Sequence, residues 1–409
     1  MVRDMTNLRD LFAPYYAPGE DAVAAALRTG LVTPDTNVML AAYRFERLAR
    51  EELFGAFEKL EDRLWIPYQV ALEFHRNRLG VIAEQEGFFG KTRDELDAAI
   101  NSYLAKLNAF ANRIALPHAR TQEVEKTIRD AHDQVKGQVS SAEKGNEVHL
   151  KGRDSDDVLS RLETLFEGRV GEPMQPDVLE AARKEAKRRV DHRIPPGYAD
   201  KDKADPTGDY LVWKQLLHEA GTRKVPVVLV TDDRKEDWVR REHGLTLGPR
   251  PELCEEMSAA AGAPFFLMST ATFLRHAKEY LRASVSPETV DQARELPTAL
   301  LERDRALAED TMASLHRTQE YRRMLERELR AAAAEEHRIL EIEHEVETSG
   351  SEARLEDLQA WRAQRQAAHE ARMTAEARSR ELSEEEARLL RRLTALMGTS
   401  TPSLGGQSL

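Results

Sequence analysis

Short apolar runs that end in polar or acidic residues recur through the first 280 positions. The clearest run covers residues 225–230, and its continuous apolar character is typical of a parallel strand covered on both faces. Apolar runs also predict strands that begin at Leu31 and end near Asp35, and at 63–67 and 264–268. The segments between them predict helices at 21–28, 47–60, 69–78, 209–220 and 269–281. This alternation of strands and helices predicts an α/β core.

A long charged segment interrupts this alternation. Residues from about 80 to 200 are rich in helix-forming residues, with turn signals near Pro117 and Gly145. We interpret this stretch as a large helical insertion into the α/β core.

The last third of the chain has a different pattern, because large apolar side chains become sparse beyond Tyr280 while Glu, Arg and Ala dominate. We predict a linker at 283–300, a helical hairpin or coiled-coil region at 301–397 and a disordered tail at 398–409. The few large apolar residues between Trp361 and Leu382 give a self-sufficient coiled coil only weak support. Self-association or binding of a protein partner is the expected role of these helices, and a charged spacer is the alternative.

Composition limits the classes of function. The formal net charge of −12 argues against a protein that coats nucleic acid with a generally basic surface. Cys254 is the single cysteine, which excludes an internal disulfide framework and a cysteine-built zinc site within one chain. The first twenty residues contain three acids and no long apolar run, so we expect neither a secretion signal nor a membrane span. A soluble cytoplasmic protein is the expectation.

Acidic residues follow two of the predicted strands. Asp35 comes where the first strand ends, and the pair Asp232 and Asp233 follows the strand at 225–230, with Asp237 four residues beyond the pair. The carboxyl ends of parallel strands form the ligand crevice of such sheets. Two adjacent carboxylates repel each other, and a hard divalent cation would relieve that repulsion. Taken alone, Asp35 fits a turn or helix-cap aspartate better than a site residue, because Asp and Asn are common at helix caps.

Two further acids lie in predicted helices. Glu73 is surrounded by apolar helix neighbours, and Asp209 follows Gly208 at the start of a helix. Taken singly, Glu73 could pair with Arg76, and Asp209 could interact with the helix dipole. Four separate elements nevertheless each deliver a carboxylate that could face one crevice, which isolated caps would not require.

At these positions the sequence resembles the PIN-like nuclease family, specifically a bacterial PIN-like subgroup with a long helical insertion. The match as a whole spans about residues 8 to 281. Its four motif segments are Thr33-Pro34-Asp35-Thr36-Asn37, Trp65-Ile66-Pro67 with Glu73-Phe74-His75-Arg76-Asn77-Arg78, Gly208-Asp209-Tyr210-Leu211, and Val230-Thr231-Asp232-Asp233 through Trp238. Each motif is weak alone, but four in the correct order are a specific signal.

The resemblance implies a three-layer PIN-like fold with a central parallel sheet over residues 1–282, followed by the C-terminal helical hairpin. It also implies a metal-dependent nuclease with Asp35, Glu73, Asp209 and Asp233 as catalytic and metal-binding residues. Asp232 is a further candidate ligand, directly or through water, and the expected supporting residues are Asn37, Thr231 and Asp237. The expected cofactor is Mg²⁺ or Mn²⁺, as one or two ions.

The expected partner is nucleic acid, with RNA preferred over DNA. Candidate phosphate-binding residues are Arg76, Arg78, Lys214, Arg188 and Arg189. The last two lie in a basic run at 183–193, for which a solvated helix face is an equal alternative. Histidine spacing does not fit a zinc enzyme.

The leading hypothesis is an endoribonuclease that acts on single-stranded or structured RNA. A toxin or anti-phage defence role rests on the family resemblance alone. A DNase of the same fold is an alternative, as is a catalytically idle PIN-like module for interaction or assembly. A sensor whose C-terminal helices hold the nuclease inactive combines both hypotheses.

Overall fold

The structure is a computed structural model that describes residues 7–8, 12–146, 156–201, 203, 205–233, 235–243, 245–349 and 355–399. It divides into two compact units, with the boundary between Thr298 and Ala299. Each unit is described by itself. Among the described helices, none combines the length and the apolar character that a membrane crossing requires.

The first unit alternates helices and strands. Its helices are α1 (Glu20–Thr29), α2 (Thr36–Ala41), α3 (Arg47–Glu58), α4 (Tyr68–Arg113), α5 (His118–Asn146), α6 (Asp157–Leu165), α7 (Pro176–His192), α8 (Gly208–Arg223), α9 (Pro251–Ala261) and α10 (Thr270–Tyr280). Its strands are β1 (Leu31–Pro34), β2 (Val227–Val230), β3 (Val239–Glu242), β4 (Leu245–Pro249) and β5 (Phe265–Met268). Short 3-10 turns cover Ala13–Tyr15, Glu61–Arg63 and Tyr198–Asp200.

The central sheet is parallel, with the strand order β1-β2-β5. All four residues of β2 are buried, as expected for a middle strand covered on both faces. The α/β class with a small parallel sheet is therefore confirmed. The predicted strand at 63–67 is wrong as a strand, because only isolated bridges from Leu64 to Val32 and from Ile66 to Val170 form there. The 3-10 turn before Leu64 and the helix that starts at Tyr68 leave too few residues for a ladder.

Aromatic packing fixes the helices on the sheet. The ring of Phe57 in α3 stacks on Phe273 in α10, with 5.4 Å between centroids. Trp213 of α8 is fully buried and makes edge contacts with Trp238 and with Phe265 of β5. These contacts hold the first turn of α8 near the segment that follows β2.

The insertion has no break at residue 80, because α4 runs continuously from Tyr68 to Arg113. Helix α5 packs back against it, and the ion pairs Arg93–Glu143 and Lys136–Asp97 connect the two helices. The antiparallel hairpin β3–β4 was not predicted, since its polar sequence lacks a strand-like alternation over 240–246.

The predicted linker at 283–300 is wrong from residue 287 onward. Helix α11 covers Pro287–Ser349, with Pro297 inside it. The hydroxyl of Ser286 accepts a hydrogen bond from the backbone N–H of Thr289 at 3.3 Å, which caps the helix, and Pro287 suits the first helical position. Pro297 lies inside α11 and does not end it.

In the second unit, the remainder of α11 and the helix α12 (Leu355–Thr399) run antiparallel. Ion pairs join Glu347 to Arg362 at 2.7 Å and Glu343 to Arg365 at 2.9 Å, and Glu336 to Arg372 at 3.3 Å. The residue numbers of the partners rise along α12 as those in α11 fall, which is the pattern of antiparallel helices. The predicted disordered tail at 398–409 lies, from residue 400 onward, outside the described residues.

Candidate functional site

The end of β1 places Asp35 beside the end of β2. The Asp35 backbone N–H donates to the carbonyl of Val230 at 2.9 Å, which continues the sheet register by one residue. One side-chain oxygen of Asp35 accepts from the backbone N–H of Thr36 at 2.7 Å, so Asp35 caps α2. Its other oxygen accepts from Asn37 Nδ2 at 2.6 Å and from Thr231 Oγ1 at 2.8 Å. Asp35 is therefore a helix cap and, at the same time, a held carboxylate at the sheet edge.

Asn37 and Thr231 also shape the segment after β2. Asn37 Oδ1 accepts from the backbone N–H of Asp232 at 3.1 Å, and Thr231 Oγ1 accepts from that of Asp233 at 3.0 Å. Two polar side chains thus fix the backbone that presents Asp233 on the same side as Asp35.

Glu73 reaches the cluster from the second turn of α4. Its carboxylate accepts from Gln69 Nε2 at 2.7 Å and from Thr36 Oγ1 at 3.4 Å. It also lies against Gly208 at the start of α8, where an added Cβ would come within 2.8 Å of Glu73 Oε1. The absence of a side chain at Gly208 therefore lets α4 and α8 bring Glu73 close to Asp209.

An ammonium group lies among the acids on the other side. Lys235 Nζ is 2.9 Å from a carboxylate oxygen of Asp233, 3.3 Å from Asp209 and 3.0 Å from Asp200. Its side chain is only 15 % exposed. Trp238 Nε1 also donates to Asp209 at 3.3 Å. The sequence analysis missed both Lys235 and Asp200.

Two buried acids support this side of the cluster. Asp237 accepts from the backbone N–H groups of Gly197 and Ala199 at 2.7 and 3.1 Å, which ties down the loop before α8. Asp200 pairs with Lys203 at 2.7 Å as well as with Lys235. Within the described residues, the second carboxylate oxygen of Asp200 is buried without a hydrogen-bond partner.

Asp232 is directed elsewhere. Its two carboxylate oxygens accept hydrogen bonds from the backbone N–H and the hydroxyl of Thr270, at 3.0 and 2.6 Å. Asp232 therefore supports the start of α10. Because both carboxylate oxygens of Asp232 are engaged with Thr270, we do not include Asp232 among the proposed metal ligands.

Burial and charge give these acids different pKa values. Burial raises the pKa of Asp35 to about 7, and the nearby negative charges of Asp233, Glu73 and Asp209 add to the rise, against the hydrogen bond from Thr231. Burial also raises the pKa of Glu73 and of Asp233. For Asp209 burial acts upward, but the charges of Lys235 and Lys203 outweigh it and lower the pKa.

The donor set suits a hard divalent cation in its chemistry, because every candidate ligand is a carboxylate oxygen. The unpartnered buried oxygen of Asp200 shows that polar capacity remains at the site. Within the described part of the chain, however, no three His, Cys, Asp or Glu side chains are already arranged as a metal-binding group. The ammonium of Lys235 lies between Asp200, Asp209 and Asp233 and neutralises part of their charge.

Three of the five predicted phosphate-binding residues are engaged in structural contacts. Arg78 pairs with Asp156, Arg188 pairs with Glu185, and Arg189 pairs with both Glu185 and Glu256. These three arginines have partners within the fold, and their role in phosphate binding stays a prediction. Arg76 and Lys214 are exposed.

Sequence comparison gives one match. A family model described as a PIN like domain matches residues 31–253, which is more than half of the chain. No curated protein and no solved structure matches the chain.

Proposed function

Since the chain belongs to the PIN-like domain family, we propose that it is a divalent-metal-dependent nuclease, and more specifically an endoribonuclease. The observation that carries the proposal is the convergence of four carboxylates from four separate elements. Thr36 donates hydrogen bonds to both Asp35 and Glu73, and Thr231 contacts both Asp35 and the backbone of Asp233. Lys235 contacts both Asp233 and Asp209. Nuclease folds that use metal need such a concentration of negative charge, which otherwise costs stability.

Asp35, Glu73, Asp209 and Asp233 would hold Mg²⁺ or Mn²⁺. When bound, such an ion activates water and stabilises the leaving oxygen of the phosphodiester. Asn37 and Thr231 orient the Asp35 carboxylate, and Gln69 orients that of Glu73. These neutral donors fix the carboxylates without removing their charge.

The preference for RNA over DNA, and a role as a toxin or in anti-phage defence in the cytoplasm, rest on the family alone. The alternative of a catalytically idle assembly module predicts loss of at least one acid, whereas all four are present. Association through the C-terminal helices completes the proposal, since Met312 and Met324 of α11 are exposed apolar residues.

The test is cleavage of labelled single-stranded RNA and DNA by the purified protein with Mg²⁺, Mn²⁺ or EDTA. Asp35→Asn and Asp233→Asn should each lower the rate by at least about 100-fold, since even outer-shell partners of a metal cost about 10–100-fold. Asp232→Asn is the matched control, because its carboxylate serves Thr270, and it should cut like the wild type.

Circular dichroism and thermal unfolding would verify that the variants are folded. Cleavage that persists in EDTA, or that survives both Asp35→Asn and Asp233→Asn, would refute the proposed site. A DNA product without an RNA product would replace the ribonuclease with a DNase of the same fold.

A further inference from the structure

The tip of the α4–α5 hairpin differs in charge from the rest of the chain. Asp and Glu make up 72 of the 409 residues, yet residues 98–122 contain neither. The same stretch contains Lys106, Arg113 and Arg120. It comprises the last turns of α4, the connection at 114–117 and the start of α5. This acid-free stretch, which we call the hairpin tip, is therefore locally cationic in an acidic protein.

Large apolar side chains are exposed on the hairpin tip. Tyr103, Phe110 and Ile114 are 60 %, 57 % and 53 % exposed. Their spacing of seven and four residues places them on one face of α4. Leu104 and Ala111 are buried and lie on the face toward α5. The aromatic face is thus on a side of α4 that α5 leaves open.

The cations accompany the rings. Lys106 and Arg113 are each three residues from a ring-bearing position, so they flank the same face of α4, and Arg120 is exposed at the start of α5. None of the three forms an ion pair with a described residue. Glu125 accepts a hydrogen bond from Asn108 Nδ2 at 2.6 Å, and Asn108 lies on a different face of α4. The positive charge of the tip is therefore available to an external anion.

We propose that the hairpin tip binds single-stranded nucleic acid by stacking unpaired bases on Tyr103 and Phe110 while Lys106, Arg113 and Arg120 contact phosphates. Exposed rings interleaved with cations match the chemistry of an unpaired strand, which offers both free base faces and regular negative charge. A duplex hides its base faces, so the rings would gain nothing from it. The absence of acids matters because any carboxylate on this face would repel the phosphates.

The role of the hairpin tip as a substrate contact rests on the proposed nuclease function. Helix α4 connects the tip to the carboxylate cluster. Glu73 and Tyr103 lie 30 residues apart on the same continuous helix α4. At about 1.5 Å per residue, that separation is about 45 Å. At the duplex spacing of about 3.4 Å per nucleotide, a strand needs roughly 13 nucleotides to cover that distance, and a fully extended strand needs fewer. The hairpin tip is thus a second contact that long substrates reach and short ones do not.

Binding can be measured without cleavage by fluorescence anisotropy in EDTA, with labelled 30-nucleotide uridine and thymidine oligomers. Replacing both rings, as Tyr103→Leu with Phe110→Leu, should weaken binding at least about fivefold per ring. The pair Tyr103→Phe with Phe110→Tyr keeps two rings and should bind like the wild type. If the leucine pair also binds like the wild type, stacking is excluded and the proposal falls.

The contribution of the three cations to binding can be measured separately, through its dependence on salt. Lys106→Gln, Arg113→Gln and Arg120→Gln together should reduce the dependence of log affinity on log salt by about 2, since each phosphate contact on a single strand contributes about 0.7. The matched control is Arg323→Gln, Arg327→Gln and Arg330→Gln, which makes the same charge change on exposed positions of α11. An equal change of slope in both triple variants would mean a general charge effect and would overturn the site.

Two other occupants of the tip have distinct results. If light scattering shows that the leucine pair changes the oligomeric state, the face binds a second copy of the chain, and the proposal fails. If the leucine pair abolishes binding to vesicles of phosphatidylcholine and phosphatidylglycerol but not to oligomers, the face binds lipid, and the proposal fails.

Cleavage separates this proposal from the nuclease proposal itself. With metal present, the ring and charge variants should lose kcat/KM at least about fivefold on a 30-nucleotide strand and retain wild-type values on a 4-nucleotide strand. If the protein binds oligomers through the tip but cuts neither, the nuclease proposal fails while the binding site stands. If it cuts both lengths and the variants have no effect on binding or cutting, the tip proposal alone fails.

Discussion

In one half of the carboxylate cluster, Asp35 and Glu73 accept hydrogen bonds from neutral donors, namely a backbone N–H and the side chains of Asn, Gln and Thr residues. In the other half, Asp209 and Asp233 share the ammonium of Lys235. The first half has raised pKa values because burial disfavours its charge. In the second half, the charges of Lys235 and Lys203 lower the pKa of Asp209, whereas burial still raises that of Asp233.

This difference between neutral donors and an ammonium partner shows how a protein can gather several negative charges in one crevice and still fold. Neutral donors set direction without cancelling charge, so Asp35 and Glu73 remain in need of a cation. Lys235 cancels charge in the other half, and it therefore competes with any metal that needs Asp209 or Asp233. Changes to each half should have separable effects, which the following predictions order by their expected size.

Removing the internal cation should have the largest effect. Lys235→Met leaves Asp200, Asp209 and Asp233 without their shared ammonium, and breaking a buried ion pair in this way costs about 3–5 kcal/mol. Urea unfolding in EDTA should show that loss. Adding Mg²⁺ should then stabilise the variant more than the wild type, because the metal replaces the missing cation.

The control for this prediction is Lys203→Met. Lys203 contacts Asp200 but is more exposed, so its removal should cost less. If Lys235→Met unfolds at the wild-type urea concentration, or gains no more from Mg²⁺ than the wild type, Lys235 does not substitute for the metal.

In the half with neutral donors, Asp35 should make the stability of the fold depend on pH. The pKa of Asp35 is about 7 in the folded protein and about 4 in an unfolded chain, so between these values the folded state binds more protons. Stability should therefore fall as the pH rises from about 4 to about 7, by a few kcal/mol at most. Asp209 has the opposite sign, because its lowered pKa adds stability above pH about 4 that is lost in acid.

Asp35→Asn should remove the part of the fall in stability with rising pH that Asp35 contributes. Urea unfolding at pH 4.5, 5.5, 6.5 and 7.5 in EDTA would compare the slopes of wild type and variant, with Asp232→Asn as the control. Parallel curves for Asp35→Asn and the wild type would show that Asp35 is ionised throughout and would contradict the prediction.

The positions of the strand-end acids could be predicted because strand ends are visible as the ends of apolar runs. Asp35 and Asp233 both lie one to three residues beyond such a run. The choice between Asp232 and Asp233 could not be made from the run itself, since neighbouring side chains diverge and the contact with Thr270 depends on α10. It came from the family pattern.

Other features depend on contacts between distant segments. Lys235 and Asp200 lie 35 residues apart in polar stretches, and nothing local indicates that both become buried as partners. The start of α11 did have a local signal in Ser286 and Pro287, but the internal Pro297 outweighed it in the prediction of a linker. Sequence thus showed the acids of the site more readily than the residues that neutralise them.

The support of the Lys235 half can be tested at Asp237. Asp237→Ala leaves the N–H groups of Gly197 and Ala199 without their acceptor, which should cost about 2 kcal/mol. Asp237→Asn keeps an acceptor oxygen for these N–H groups. Burial raises the pKa of the Asp237 carboxyl to about 6, so the loss of its charge should cost little, and the variant should be about as stable as the wild type. Thermal unfolding and limited proteolysis at 193–200 would measure both, and equal losses in the two variants would show that the charge matters more than the loop contacts.

The smallest effect on stability is expected where the two halves meet, at Gly208. A Cβ there would lie 2.8 Å from Glu73 Oε1, which is the end of a flexible side chain and can move away. Gly208→Ala should therefore change the free energy of unfolding by less than about 1 kcal/mol. It should still displace Glu73 from the neighbourhood of Asp209 and lower kcat/KM about tenfold, as the loss of ligand orientation does at metal sites. Gly80→Ala is the matched control. A Cβ at Gly80, which lies in the same helix as Glu73, would meet no atom within 4 Å, so cleavage should be unchanged. Equal cleavage by Gly208→Ala and the wild type would mean that Glu73 acts from a position that does not depend on its close approach to α8.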